Sequence, residues 1–185
     1  MADLILDGTS IISKTGSNNP AITSGLDFPA GHVIKKTYYP ISRGTYTHSN
    51  FPDDDTVPQR SEGSEIFSQA YIPSTSNCTL LITTYVRLGE SSNMVNGIEL
   101  GLFISDNDDC LIIGEDYAMG ASPIHSANIT LMYSMSSWGT SSKTFSLRAG
   151  GGDRLNYFNT VGQYSVARYG ASVAKSAFIV EEIAT

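Results

Sequence analysis

One stretch decides the fold: Leu80-Leu81-Ile82-Thr83-Thr84-Tyr85-Val86-Arg87-Leu88. Its residues separate into two alternating sets. One set is Leu80, Ile82, Thr84, Val86 and Leu88, and the other is Leu81, Thr83, Tyr85 and Arg87. Successive side chains of a β-strand point to opposite faces of a sheet, so this alternation predicts a strand with one buried face.

The same period of two recurs along the chain and predicts further strands. Strong alternation is found at 98–105 and 128–135, a shorter set at 145–149, and weaker strands are predicted at 32–38, 65–72, 110–113, 154–158 and 176–183. Polar clusters at Ser105–Asp109 and Gly150–Asp153 are short enough for hairpin turns. No helical period persists for three turns. The pattern predicts an all-β protein with a jelly-roll-like antiparallel β-sandwich over residues 31–185.

Residues 1–30 differ in composition from the predicted sandwich. After Leu4-Ile5-Leu6 the segment is rich in Gly, Ser, Asn and Pro and offers few apolar residues to bury. Such a segment does not fold alone, so we expect an extended arm that orders against a partner. The candidate contact residues are its aliphatic side chains: Leu4, Ile5, Leu6, Ile11, Ile12 and Ile22.

The charge balance excludes several classes of partner. The chain has 11 basic and 18 acidic residues, a net charge of -7. Without a basic run it gains little from phosphate counterion release, so we expect no nucleic-acid partner. Anionic membranes are disfavoured for the same reason, and no apolar run is long enough to insert. Residues 1–8 lack the features of a secretory leader, so we expect synthesis in a cytoplasm.

Three aromatic residues are candidates for contact with a receptor or glycan. Tyr46 and Phe51 lie in a long polar loop, Ser42–Ser64, and Trp138 is flanked by small residues that cannot bury it locally. Aromatic rings bind sugar faces and anchor protein interfaces. We therefore predict that these side chains are exposed and take part in recognition, with core packing as the alternative.

The carboxylates do not form a recognisable metal motif. Two clusters, Asp53 to Asp55 and Asp106, Asp108 and Asp109, offer oxygen ligands of the kind that calcium prefers. Neither has the glycine and the terminal glutamate of the twelve-residue calcium loop. We predict solvated acidic turns and no metal or other cofactor, with calcium binding as the open alternative.

No motif assembles a catalytic site. The histidines, His32, His48 and His125, are far apart and lie in no known catalytic pattern. Glu181 and Glu182 are adjacent, so on a strand they point to opposite faces. The Gly150-Gly151-Gly152 triplet has no following Lys-Ser or Lys-Thr, and we assign it to a turn. The prediction is that the protein is not an enzyme, and a small hydrolase is the disfavoured alternative.

Two cysteines, Cys78 and Cys110, allow one disulfide at most and match no metal-ligand spacing. In a protein made in a reducing compartment, buried free thiols are the expected state.

An ordered set of short motifs resembles a known group of proteins. The set is Gly31-His32-Val33-Ile34, Ile72-Pro73-Ser74-Thr75-Ser76, Arg148-Ala149-Gly150-Gly151-Gly152, Tyr157-Phe158-Asn159 and Glu182-Ile183. It resembles the C-terminal β-domains of tail-fibre and head-fibre-like virion proteins of phages that infect aquatic bacteria. The opening segment, Leu4–Thr9 and Gly16–Ile22, is similar to the start of such proteins. Full tail fibres usually have a longer attachment domain and a shaft, so a short head fibre or a capsid decoration protein is expected from the resemblance as much as a tail fibre is.

The resemblance implies a homotrimeric structural protein located in the virion. The arm would bind other virion proteins, of the capsid or of the tail, and the sandwich would face outward as a capsid decoration or an adhesin for a host surface glycan. It implies no catalytic residue. The alternative from the residues alone is a free carbohydrate-binding module that uses Trp138 and the tyrosines.

Overall fold

The computed structural model describes residues 4–6, 9–13, 21–22, 29–42, 44–46, 49–52, 54–90, 97–116, 125–151, 156–158 and 175–185. Every regular element in these ranges is a strand. They are β1 (Leu4–Leu6), β2 (Thr9–Ser13), β3 (Ala21–Ile22), β4 (Val33–Ile41), β5 (Gly44–Tyr46), β6 (Ser64–Tyr71), β7 (Cys78–Glu90), β8 (Ile98–Ile104), β9 (Asn107–Asp116), β10 (His125–Ser136), β11 (Lys143–Gly150), β12 (Asn156–Phe158) and β13 (Ser176–Ala184).

Sheet one is built around β7, the strand that the alternating stretch predicted. β10 pairs with it antiparallel along one edge, from His125↔Glu90 to Ser136↔Thr79. Along its other edge β7 pairs with β13 and, further on, with the short β12. β4 and β5 extend the sheet beyond these two strands. The order across sheet one is therefore β4-β13-β7-β10.

Sheet two has the order β6-β11-β8-β9, again with antiparallel neighbours throughout. Apart from β8 and β9, which are both in sheet two, consecutive long strands lie in different sheets. Numbered one to eight in chain order, the eight long strands are arranged as 1-8-3-6 in sheet one and 2-7-4-5 in sheet two. This is the double Greek key of a jelly roll, so the predicted fold class is confirmed.

The core lies between the two sheets. The β7 set Leu80, Ile82, Thr84, Val86 and Leu88 is fully buried, as the alternation predicted. Sheet two contributes Leu100, Leu102 and Leu147. Three aromatic rings meet in the middle, where Phe145 and Phe178 have centroids 5.6 Å apart and Phe67 lies 5.2 Å from Phe178. Burial of these side chains supplies the main driving force for folding.

Two turn predictions need correction. At 105–109 only Ser105 and Asp106 form the turn, and Asn107 to Asp109 already belong to β9. Of the Gly150–Asp153 cluster the structure describes Gly150, the last residue of β11, and Gly151. The cluster does not join two paired strands, because β11 belongs to sheet two and the next described strand, β12, to sheet one. Gly151 adopts φ 86°, a conformation that favours glycine.

The first three strands form a sheet of their own, in the order β1-β2-β3. Leu4 is the register partner of Ile12, which in turn pairs with Ile22. The arm therefore contains short antiparallel pairs within its predicted bounds.

Residues 31 and 32 are hydrogen-bonded to the last strand. The Gly31 N–H donates to the Ala184 carbonyl, and the Ala184 N–H donates to the His32 carbonyl. The division of the chain at residue 30 stays a prediction.

Candidate functional site

The outer face of sheet one is the surface formed by the outward-pointing side chains of β4, β7, β10 and β13. Its large side chains include Met132, Tyr38 and Tyr85, which are 61%, 53% and 43% exposed. Ile179 lies between Tyr38 and Thr83 in register, and Thr83 is in turn opposite Met132. One row across all four strands is therefore Tyr38, Ile179, Thr83 and Met132. Solvent-facing sheet surfaces are usually polar, and this one is apolar along that row.

Few charges lie on this face. Lys36 pairs with Glu181 at 3.0 Å, and both lie next to the apolar row. Arg87 is half-buried, and its Nε finds no hydrogen-bond partner in the described part of the chain. Tyr85 donates its hydroxyl hydrogen to the Asn128 Oδ1 at 3.1 Å, across the β7–β10 pair. Scarce charge together with exposed Tyr and Met side chains is typical of protein interfaces.

The second candidate site is a polar cluster around Glu182, at one end of the sandwich. This side chain is fully buried and accepts hydrogen bonds from the Tyr71 hydroxyl at 2.6 Å and from the backbone N–H and hydroxyl of Ser74. Lys35 Nζ lies 3.3 Å from the Glu182 carboxylate and 5.1 Å from the centre of the Tyr71 ring. The site joins β4, β6, β13 and the loop after β6. The neighbouring Glu181 points outward, as predicted.

The protonation states at this site follow from its contacts. Burial by itself raises the pKa of Glu182, but the hydrogen bonds from Ser74 and Tyr71 and the charge of Lys35 together outweigh it, so the pKa lies below its ordinary value. The pKa of Tyr71 is raised, first by burial and then by its hydrogen bond to Glu182. Glu182 is therefore ionised and Tyr71 neutral at pH 7. Through these contacts the ionised Glu182 side chain links four segments of the fold.

Phe51 is not an exposed recognition residue, so that prediction is wrong. Its ring is 3% exposed and stacks on Phe103, with centroids 6.1 Å apart, against the outer side of sheet two. The ring fits there because three neighbouring positions are glycine. A Cβ at Gly63, Gly101 or Gly150 would approach the Phe51 ring to 2.6, 3.3 and 2.6 Å. We call Gly63, Gly101 and Gly150 the glycine socket.

Trp138 is half-buried rather than freely exposed. The indole Nε1–H donates to the Ser141 carbonyl at 2.9 Å, and the ring meets Phe145 edge to face with centroids 5.7 Å apart. Lys143 Nζ lies over the ring, 4.9 Å from its centre. The indole is thus partly in the core, the alternative given above, and a sugar ring would have to displace Lys143 to stack on that face.

The remaining predicted contact residues lie outside what the structure describes. For the arm residues Leu4, Ile5, Leu6, Ile11, Ile12 and Ile22 the backbone strands are described, but their side chains are not, and the same holds for Tyr46. Their roles stay predictions.

The acidic clusters bind groups of the protein itself. Asp106 pairs with Lys143 at 2.5 Å, Asp108 with Arg60 at 3.1 Å, and Asp109 accepts from the Gln59 side chain at 2.9 Å. The hydrogen bond from Lys143 holds the pKa of Asp106 below its ordinary value. Asp53 lies outside the described residues. Within the described ranges, no three His, Cys, Asp or Glu side chains are close enough to share a metal ion.

An open cleft of about 470 Å³ lies beside the Phe51 loop. Its acidic lining comes from Asp54, Glu99 and Glu115, and Glu99 and Glu115 are direct register partners on β8 and β9. Thr56 donates both its hydroxyl and its backbone N–H to Asp54, which lowers the pKa of that carboxyl.

Cys78 and Cys110 are both free thiols. Burial raises the pKa of each, which favours the protonated thiol over the thiolate. Cys110 donates to the Ile112 carbonyl at 3.1 Å.

The described residues contain no helix that is long and apolar enough to cross a membrane.

No protein-family model and no curated protein matches the chain. Among solved structures, it is similar to that of the infectious bursal disease virus Gx strain, with a TM-score of 0.29 and 11% identity over 94% of this chain and 41% of that one. A crystal structure of the particle of the same virus gives a TM-score of 0.29, 12% identity, and coverage of 95% and 41%. For its VP2 subviral particle the values are 0.25, 11%, 94% and 42%.

The chain spans about two fifths of the length of the chains in these virus structures. The jelly-roll assignment itself rests on the strand order and register of this chain.

Proposed function

We propose that this chain is a structural protein of a phage particle, in which residues 1–30 attach it to other virion proteins and the jelly roll is displayed as a homotrimer. The observation that carries the proposal is the strand order of the two sheets, because double Greek keys of this kind form viral capsid subunits as well as lectin domains and cupins. The protein would be synthesised in the bacterial cytoplasm and located in the virion.

Two features favour a structural role over the other uses of the fold. The polar cluster around the buried Glu182 connects four segments of the sandwich, and the Glu182 carboxylate is engaged by Tyr71, Ser74 and Lys35. The ordered motif set of the sequence resembles virion fibre domains. The proposal therefore includes no catalytic activity and no cofactor, and attachment to capsid and to tail are both compatible with it.

The test is incorporation into particles. Virions of the virus that encodes the chain, purified by density gradient, should contain it in a fixed ratio to the major capsid protein by quantitative mass spectrometry. An Ile12→Asp variant should be lost from particles, since Ile12 is the register partner of both Leu4 and Ile22 in the arm. Val57→Asp is the matched control, because Val57 is an exposed aliphatic residue of the sandwich. Absence of the wild-type chain from pure particles would refute the proposal.

A further inference from the structure

We propose that the outer face of sheet one is the surface through which copies of this chain associate. The inference rests on the homotrimer of the proposed function and names the interface. Its core would be the row Tyr38, Ile179, Thr83 and Met132 together with Tyr85, which sits one row away on β7. The composition supports it, since Tyr, Met and Arg are enriched and Lys and Glu depleted in the cores of protein interfaces.

The size of the face agrees with a stable interface. Sheet one is four strands wide, and β7 and β10 pair over twelve residues. β13 pairs with β7 and with β4 over eight residues each. With strands about 4.8 Å apart and a rise of about 3.3 Å per residue, the face is about 19 Å wide, about 40 Å long at β7 and β10 and about 26 Å long at β4 and β13. Its area of about 600 Å² is at the lower end of what each partner contributes to a standard protein interface. In a closed trimer each copy has two neighbours, so different parts of this face would contact each of them.

The charges of the face point to another copy of this chain rather than to a different class of partner. The chain as a whole carries a net charge of -7, so two copies repel each other through most surfaces. Of the described outward residues of sheet one, two are positive, Lys36 and Arg87, and one is negative, Glu181. This sum of +1 makes the face nearly neutral, so copies that meet there repel each other less than they do through the acidic remainder of the surface.

Sedimentation velocity of the full chain at micromolar concentration tests the interface. Met132→Glu places a charge in the centre of the face, at its most exposed apolar side chain. Burying an unpaired carboxylate should raise the dissociation constant by about 100-fold or more and yield monomers. The matched control is Val57→Glu, at a site that is 52% exposed and lies in the loop beside sheet two. It should remain as oligomeric as the wild type.

Circular dichroism of Met132→Glu must match the wild type, since the side chain is exposed and its replacement does not disturb the core. If the two spectra differ, Tyr38→Glu, at the other end of the row, replaces Met132→Glu as the test of the interface. Oligomers that persist in both variants, or a wild-type chain that is monomeric, would overturn the inference. Loss of the oligomer on deletion of residues 1–30, with both face variants still oligomeric, would assign association to the arm instead. Particle incorporation is scored separately, so failure of this interface leaves the virion proposal intact.

Discussion

At the scale of single residues, Thr84 shows how a periodic sequence can place a polar atom in the core. It belongs to the buried set of β7 and is fully inaccessible, and in the described residues its Oγ1 has no hydrogen-bond partner. A buried hydroxyl without a partner costs free energy, although threonine fits a pleated strand well.

Thr84→Val should therefore raise the free energy of unfolding by about 1 kcal/mol, because the replacement keeps the branched shape and removes the unsatisfied hydroxyl. Urea denaturation with a constant m-value measures the effect. Thr140→Val, at an exposed position between β10 and β11, is the control and should be close to neutral. A loss of stability in Thr84→Val would mean that the hydroxyl has an unseen partner.

Glu182 is the second residue with a clear energetic role. Glu182→Gln keeps the shape but removes the charge that Ser74, Tyr71 and Lys35 stabilise. The loss should be about 2 kcal/mol at pH 7, in the range of hydrogen bonds to charged groups. Glu181→Gln, on the outward side of the same strand, should cost less than about 1 kcal/mol, as is usual for exposed ion pairs.

The Glu182 contribution should depend on pH in one direction. Its pKa in the folded protein lies below the ordinary 4.5, so the carboxylate stabilises the fold above that pH. As the pH falls through the folded pKa, the carboxyl becomes protonated and the contribution disappears. The stability difference between wild type and Glu182→Gln should thus be constant near neutrality and shrink below pH 4.5. A difference that grows in acid would contradict the assigned ionisation.

At the scale of elements, the loop between β5 and β6 is held against sheet two at two points. Phe51 fills the glycine socket. Further along, the Cys110 N–H donates to the Pro58 carbonyl at 2.9 Å and the Arg60 N–H to that of Asp108 at 2.7 Å. This short bridge covers the start of the β9 edge, which protects an otherwise open strand edge from pairing with other chains.

Phe51→Ala should lower the free energy of unfolding by about 3 kcal/mol, at the lower end of the range for a buried Phe. It should also expose the part of β8 and β9 that the loop between β5 and β6 covers. Cys110 lies next to Gly101 under this cover, so its reaction with a thiol reagent should become faster. Cys78, buried elsewhere in the core, is the internal control and should not change. Equal rates in wild type and variant would show that Phe51 does not shield Cys110.

At the scale of the whole molecule, association through the outer face of sheet one should stabilise the fold. A partner that binds only the native state raises the midpoint of unfolding in proportion to the logarithm of its concentration. The Tm of the wild type should therefore rise with protein concentration, whereas that of Met132→Glu should be independent of it. Differential scanning fluorimetry over a hundredfold dilution measures this shift in Tm. A hundredfold dilution changes the stabilisation that association contributes by about 2.7 kcal/mol. A constant wild-type Tm would argue against association.

The β-strands and the inside-outside division of the chain could be predicted because they depend on local alternation. Leu80, Ile82, Val86 and Leu88 are buried as expected, and Glu181 and Glu182 point to opposite sides of β13. The exposure of the candidate contact residues was harder to predict. The burial of Phe51 depends on three glycines far apart in the chain, and none of them signals an aromatic socket when it is read alone.

The amino-acid sequence by itself therefore determined the class of fold, the strand positions and the low charge, because these follow from the period of two and from composition. Only the tertiary structure decided which strands are neighbours. Glu182 meets Ser74 across 108 positions of sequence, and Gln59 meets Asp109 across 50. Such contacts form because the jelly roll interleaves distant segments in two sheets. The same interleaving places Tyr38, Ile179, Thr83 and Met132 in one exposed row, which no local pattern could reveal.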